Sequence, residues 1–142
     1  MIVPDANLLL YAYDATGPFN SESVAWWSDC LSGTQPVGLC PAVIIAFVRI
    51  GTNPKAYAEP MAVDEAAAHV EAWLEQPVVQ VLEVDANDIH KTLELLCAAG
   101  TGGNLTTDAQ LAATALRHGA TVHTADSDFG RFPEVRWHNP LR

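Results

Sequence analysis

The chain has 142 residues, 17 of them acidic and 7 basic, for a formal charge of −10, with 49% hydrophobic and 17% charged residues. That is the length of one domain, 1–142, able to bury about two-thirds of its unfolded surface without staples, and the surplus of acid excludes a broad basic face that holds nucleic acid by phosphate neutralisation. No apolar run of about eighteen residues occurs, so no membrane contact is expected, and the absence of a basic, apolar leader points to the cytoplasm. Cys30, Cys40 and Cys97 are odd in number and lack CxxC spacing, which reads as reduced core residues.

In chain order, strands are expected at Ile2 to Pro4, Val37 to Leu39, Val78 to Leu82, Thr121 to His123 and Val135 to Trp137. Helical periodicity fills the intervals, over Ala6 to Tyr13, Ser21 to Leu31, Pro41 to Ile50, Val63 to Glu75, Ala86 to Ala98 and Thr106 to His118. Pro41 suits a first helical position, and Gly119 suits a helix stop. Alternating strands and helices imply parallel strands joined by helical crossovers, hence an α/β fold: a three-layer α/β/α sandwich around a central parallel sheet. Surface acids such as Glu71, Glu75, Asp85 and Asp88 are expected to be solvated.

Four aspartates fall at element ends. In MIVPDANLLLYAYD, Asp5 follows the first strand and precedes the first helix. There it is either a helix N-cap, which the stretch alone favours, or a carboxylate at the carboxyl end of a parallel strand, where such sheets place their ligands. Asp108 lies in the first turn of its helix in GGNLTTDAQLAATALRHGA, and Thr106 and Thr107 are available to cap that helix in its stead. Asp126 and Asp128 follow the strand that ends at His123, and one of them suffices to cap a short helix. In a parallel sheet these ends share one edge. Converging carboxylates repel, and a hard divalent ion relieves that repulsion; oxygen donors suit Mg²⁺ or Mn²⁺.

These residues resemble those of the PIN-domain family, and within it the VapC-type ribonuclease toxins. The resemblance rests on Asp5 and Asn7 in VPDANLLLYAYD, CPAVIIAFVRIGTNP as the third helix, Asp108 in NLTTDAQLAATALRHGA, and Asp126 and Asp128 in VHTADSDFGRFP. It implies a PIN fold, Mg²⁺- or Mn²⁺-dependent cleavage of RNA, and neutralisation by a VapB-type antitoxin. On that reading Asp5, Asp108 and Asp126 hold the metal, with Asp128 or Asn104 able to add an oxygen. Asn7, Arg49, Thr124 and Asn104 are the expected substrate contacts, Thr124 through a phosphate or a water, and a homodimer is expected. Arg49 and Lys55, at the end of the third helix, either complement its dipole or meet RNA phosphate.

The third helix departs from the family pattern. Its early glutamate is missing, for no acid occurs from Cys40 to Tyr57; alignment of FVRIGTNP puts Ile44 at that position, with Ala46 the alternative. A degenerate PIN module that binds RNA or a partner without cutting is therefore the competing reading. A phosphotransfer domain of the receiver or haloacid-dehalogenase type fares worse, because DANLL lacks the second acid of a DxD motif.

Overall fold

The first two strands, IVP and VGL, are fully buried and each is followed by a helix, so they hide both faces by lying parallel between two helical layers. A computed structural model describes residues 1–141 of the chain. Its elements are β1 (Ile2–Pro4), α1 (Ala6–Tyr13), α2 (Asn20–Ser32), β2 (Val37–Leu39), α3 (Pro41–Gly51), α4 (Val63–Leu74), β3 (Val79–Val81), α5 (Ala86–Ala99), α6 (Leu105–Arg117), β4 (Thr121–His123), a 3-10 helix over Ser127–Arg131, and β5 (Trp137–His138).

All pairings are parallel, in the order β3-β2-β1-β4-β5. β1 is central, with Ile2 opposite Val37 on one side and Thr121 on the other. The first two crossovers step outward from β1 through β2 to β3, and the third returns across the sheet to β4. Because parallel crossovers are right-handed, a reversal of direction moves the connecting helices to the opposite face. The contacts follow that rule: α1 packs on α2 and α3, and α3 on α4, while α5 packs on α6. Between β1 and β4 the sheet therefore has a switch point, with a crevice at its carboxyl edge.

The core lies on both faces of β1, where Val3, Leu8, Leu9, Val37, Leu39 and Val122 are fully buried. Trp73 anchors the four-helix face. Its ring meets Phe47 and Trp27 edge-on, and its indole N–H donates to Tyr13 Oη at 2.7 Å.

The element expectations are met with shifts of one or two residues. β3 is shorter than Val78 to Leu82, and β5 is Trp137–His138 rather than Val135 to Trp137, since Val135 faces the core from the loop. Two expectations fail. Cys97 is exposed, unlike buried Cys30 and Cys40, because it falls on the outer face of α5. Asp88 is not a solvated acid: its side chain is 2% exposed and pairs with Arg117 Nε at 2.7 Å. It also forms a capping box with Asp85 at the start of α5. Among the described residues no helix is long and apolar enough to cross a membrane.

Candidate metal centre

Asp5 is the N-cap of α1 and stands at the carboxyl end of β1. As N-cap of α1 it accepts the Ala6 amide on Oδ1 at 2.7 Å, and on Oδ2 it accepts the Thr124 hydroxyl at 2.8 Å and the Asn7 amide at 3.4 Å. Its own N–H donates to the His123 carbonyl at 2.9 Å, so the β1–β4 ladder runs on to the switch point itself.

Thr124 is fully buried and ties the ends of these two strands together. Its hydroxyl donates to Asp5 and accepts from the Asp126 N–H at 3.0 Å and from Asn7 Nδ2 at 3.3 Å. Asn7 closes the ring by accepting the Ala125 N–H at 3.4 Å. Asp126 then caps the 3-10 helix through Oδ1, which accepts the Asp128 N–H at 2.9 Å. Replacing Thr124 by isosteric Val strips Asp5 of a donor and leaves the Asp126 N–H without a partner, so Thr124→Val is expected to destabilise by about 1–3 kcal/mol, read from the urea midpoint. An unchanged midpoint would show that the hydroxyl holds nothing.

Asp108 enters from the opposite layer. α6 begins at Leu105, with Asn104 as a cap residue that makes no side-chain bond. Thr106 and Thr107 lie inside the first turn and are not its caps. The helix starts a residue early because the positive-φ Gly103 turns the chain directly into it.

One carboxylate oxygen each from Asp108, Asp126 and Asp128 come together, all within 4.8 Å of one another. Asp5 stands beside this group with both oxygens engaged by donors. Burial pushes the Asp108 carboxyl up to about 7, reinforced by the charges of Asp5, Asp126 and Asp128. Burial likewise raises Asp5, against the lowering hydrogen bonds of Thr124 and Ala6. An acid that holds its proton to neutrality for want of a counter-charge marks a site short of positive charge. The donors are hard carboxylate oxygens with no thiolate or imidazole among the three, which fits Mg²⁺ or Mn²⁺.

Beside the acids lies a cavity of about 160 Å³. Asp5 and Asp108 line it on one side, and Ala42, Val43, Ala46 and Arg49 of α3 on the other. Ala42, Ala46 and Arg49 follow a helical repeat of four and three, which puts them on one face. Ile44 is not on that face but packs against the core. Of the two α3 positions that the alignment leaves for the missing glutamate, Ala46 lines the cavity with the acids and Ile44 does not. The i, i+4, i+7 spacing was the signal in the sequence that could have found this wall. Asn104 is exposed and does not line the cavity.

The fold and site together define an all-parallel α/β protein with a carboxylate cluster, able in its chemistry to hold a hard cation, at the switch point of its sheet. The PIN domain profile matches residues 2–135. Over 142 residues the chain is 40% identical to ribonuclease VapC33 of Mycobacterium tuberculosis, covering 100% of this chain and 99% of that one. Ribonuclease VapC37 of the same organism is 37% identical over 140 residues, with 99% and 97% covered. Among solved structures, Mycobacterium tuberculosis VapC20, a Sarcin-Ricin loop cleaving toxin, superposes with a TM-score of 0.72 at 20% identity over 96% of this chain and 99% of that one. VapBC2 from Rickettsia felis, bound to a promoter DNA fragment, does so with 0.69 at 17% over 98% of each. The chain belongs to the PIN-domain family, in its VapC branch.

Proposed function

We propose that this protein is a VapC-type toxin: an endoribonuclease that depends on Mg²⁺ or Mn²⁺ and is neutralised by a VapB-type antitoxin. The observation that carries this reading is the convergence of Asp108, Asp126 and Asp128, with Asp5 alongside, in a chain of this family. Asp5, Asp108 and Asp126 hold the cation, and the position of Asp128 in the tight cluster makes it a fourth holder rather than a remote supplement. The cation supplies Lewis acidity toward a phosphodiester and neutralises the charge that develops during in-line attack by water. Thr124 and Asn7, read from the sequence as substrate contacts, both hydrogen-bond Asp5. Their part is to fix the Asp5 and Asp126 carboxylates so that no rotamer search is needed when RNA arrives. Arg49 in the cavity lining and Asn104, exposed at the start of α6, are the RNA contacts.

RNA bearing phosphates meets a chain of charge −10 only where that charge is offset, which the cation does locally. A basic antitoxin tail has the opposite problem solved for it. Besides the acidic cluster it meets a cavity of about 470 Å³ floored by Leu10, Tyr13 and Met61 and edged by Asp14, Glu59 and Glu65. The apolar side chains Ile89 and Leu93, one turn apart on the exposed face of α5, support self-association as a homodimer. A nuclease of cellular RNA works in the cytoplasm.

The test is cleavage of total RNA by purified protein with Mg²⁺ or Mn²⁺ against EDTA. Asp5→Asn, Asp126→Asn and Asp128→Asn are each expected to lower it by orders of magnitude without unfolding the chain. The absence of an acid on the α3 wall supports the competing reading of a non-cutting module. Wild-type protein that cleaves nothing, together with an Ala46→Glu variant that does, would establish that reading instead.

A further inference from the structure

The α3 wall of the small cavity carries a charge to which the nuclease reading gives RNA contact but no part in the chemistry. Where Ala42, Val43 and Ala46 offer no ligand, Arg49 reaches the cavity that Asp5 and Asp108 line from the other side, and it is the cationic residue of that lining. Three other bases are committed elsewhere: Lys91 pairs with Glu94 and Glu134, Arg117 with Asp88, and Arg136 donates to the Gly119 carbonyl. Arg49 is exposed and makes no ion pair or side-chain hydrogen bond among the described residues, even though acids lie across the cavity.

We propose that Arg49 supplies the second positive charge at the scissile phosphate, so that one divalent cation and one guanidinium do together what two cations do in a two-metal clamp. This rests on the nuclease reading above. Two-metal sites hold their ions roughly 3.5–4 Å apart and require carboxylates on both flanks of the phosphate. Here the described residues bring one cluster together, on the β4 and α6 side, while the α3 side has two alanines and an arginine. Hydrolysis forms a P–O bond to water and breaks the P–O bond to the leaving ribose oxygen. The proton of water passes to a site carboxylate, and the leaving oxygen takes one from solvent. Negative charge gathers meanwhile on the non-bridging oxygens. A guanidinium presents parallel N–H donors to two such oxygens, remains protonated throughout and, unlike a second cation, needs no acidic ligand of its own.

Three measurements test the assignment. Calorimetric titration of the wild type with Mn²⁺ should give one tight site per chain, and Arg49→Ala should keep that site with equal or higher affinity, because it removes a nearby positive charge. In EDTA, Arg49→Ala should bind a fluorescent single-stranded RNA more weakly, with a salt slope smaller by about one ion. At saturating RNA and Mn²⁺, Arg49→Ala should lower kcat by about a hundredfold, and Arg49→Lys should recover part of that loss, since it restores the charge without the fork. Two tight Mn²⁺ ions per wild-type chain, or an Arg49→Ala protein that cleaves at the wild-type rate, would overturn the proposal while leaving the nuclease reading intact. A wild type that neither binds Mn²⁺ nor cleaves RNA would remove the nuclease reading, and this proposal with it.

Discussion

Replacing Asp108 by Asn is expected to stabilise the metal-free protein at neutral pH and to lower RNA cleavage by about a hundredfold or more. The two effects have one cause. The Asp108 carboxyl is raised to about 7 by burial first and by the charges of Asp5, Asp126 and Asp128 second, whereas in the unfolded chain it ionises near its usual value of about 3.9. Between those two values the native state keeps a proton that the unfolded state has lost, so stability falls as pH rises from about 4 to about 7 and stays low above it. Asn has no proton to lose. In EDTA at pH 8, Asp108→Asn should therefore gain on the order of 2 kcal/mol, the roughly 4 kcal/mol that a rise from about 4 to about 7 represents halved for solvent screening of a half-exposed carboxyl, or about 4–8 °C in melting temperature for a chain of this size, and the gain should vanish near pH 4. A cation reverses the order. Bound only by the native state, Mn²⁺ at roughly a hundred times its Kd adds about 2.7 kcal/mol to the wild type and much less to the variant. A variant with the same metal-free melting temperature as the wild type and the same Mn²⁺ shift would show that Asp108 neither suffers from its neighbours nor holds the ion.

The second large effect lies far from the acids, at the other end of the helix that delivers Asp108. Arg117, in the last turn of α6, donates from Nε to Asp88 Oδ1 at 2.7 Å and from an Nη to Oδ2 at 2.9 Å, and also to the Glu83 carbonyl. This bidentate pair joins the end of α6 to the start of α5. Arg117→Met should destabilise the chain, because it leaves the Asp88 carboxylate without its partner, and the cost should fall when Asp88→Asn is added. Urea denaturation of the two single variants and the double variant reads the coupling directly. Additive losses would mean that the pair contributes nothing beyond its separate groups. Burial raises the Asp88 carboxyl, but the Arg117 hydrogen bonds and charge and the Asp85 amide outweigh it and hold the group below its usual range. The stability from this pair is thus present above about pH 4 and lost as acid brings the pH down through the lowered value. Asp88 and Asp108 therefore pull the pH profile in opposite directions: the metal-free protein should be most stable in mildly acidic solution, and the metal-loaded one nearer neutrality.

Much of this was legible in the sequence because the relevant physics is local. The apolar runs at Ile2–Pro4 and Val37–Leu39, the Pro41 start and the Gly119 stop mark their elements through backbone geometry and hydrogen bonding within a few residues. The position of Asp5, Asp108, Asp126 and Asp128 at element ends follows from the same elements, and once the strands are parallel those ends share an edge. Chain order alone thus determined an α/β sandwich with its acids on one side. What it did not determine are pairings between residues distant along the chain. Asp88 resembles any surface acid until α6 brings Arg117 against it from twenty-nine residues away. Thr124 reads as a contact to a phosphate or a water until the β1–β4 pairing sets its hydroxyl on Asp5, 119 residues earlier. Alignment prefers Ile44 to Ala46 on the α3 wall, yet Ala46 and Ala42 line the cavity and Ile44 does not, because a helix turns each successive side chain by about 100° and tertiary packing, which sets α3 on α1 and α4, decides which face meets the acids. The sequence therefore determined which groups could bind a cation, and tertiary structure alone decided how close they stand, since burial and charge repulsion depend on distances that no local pattern encodes.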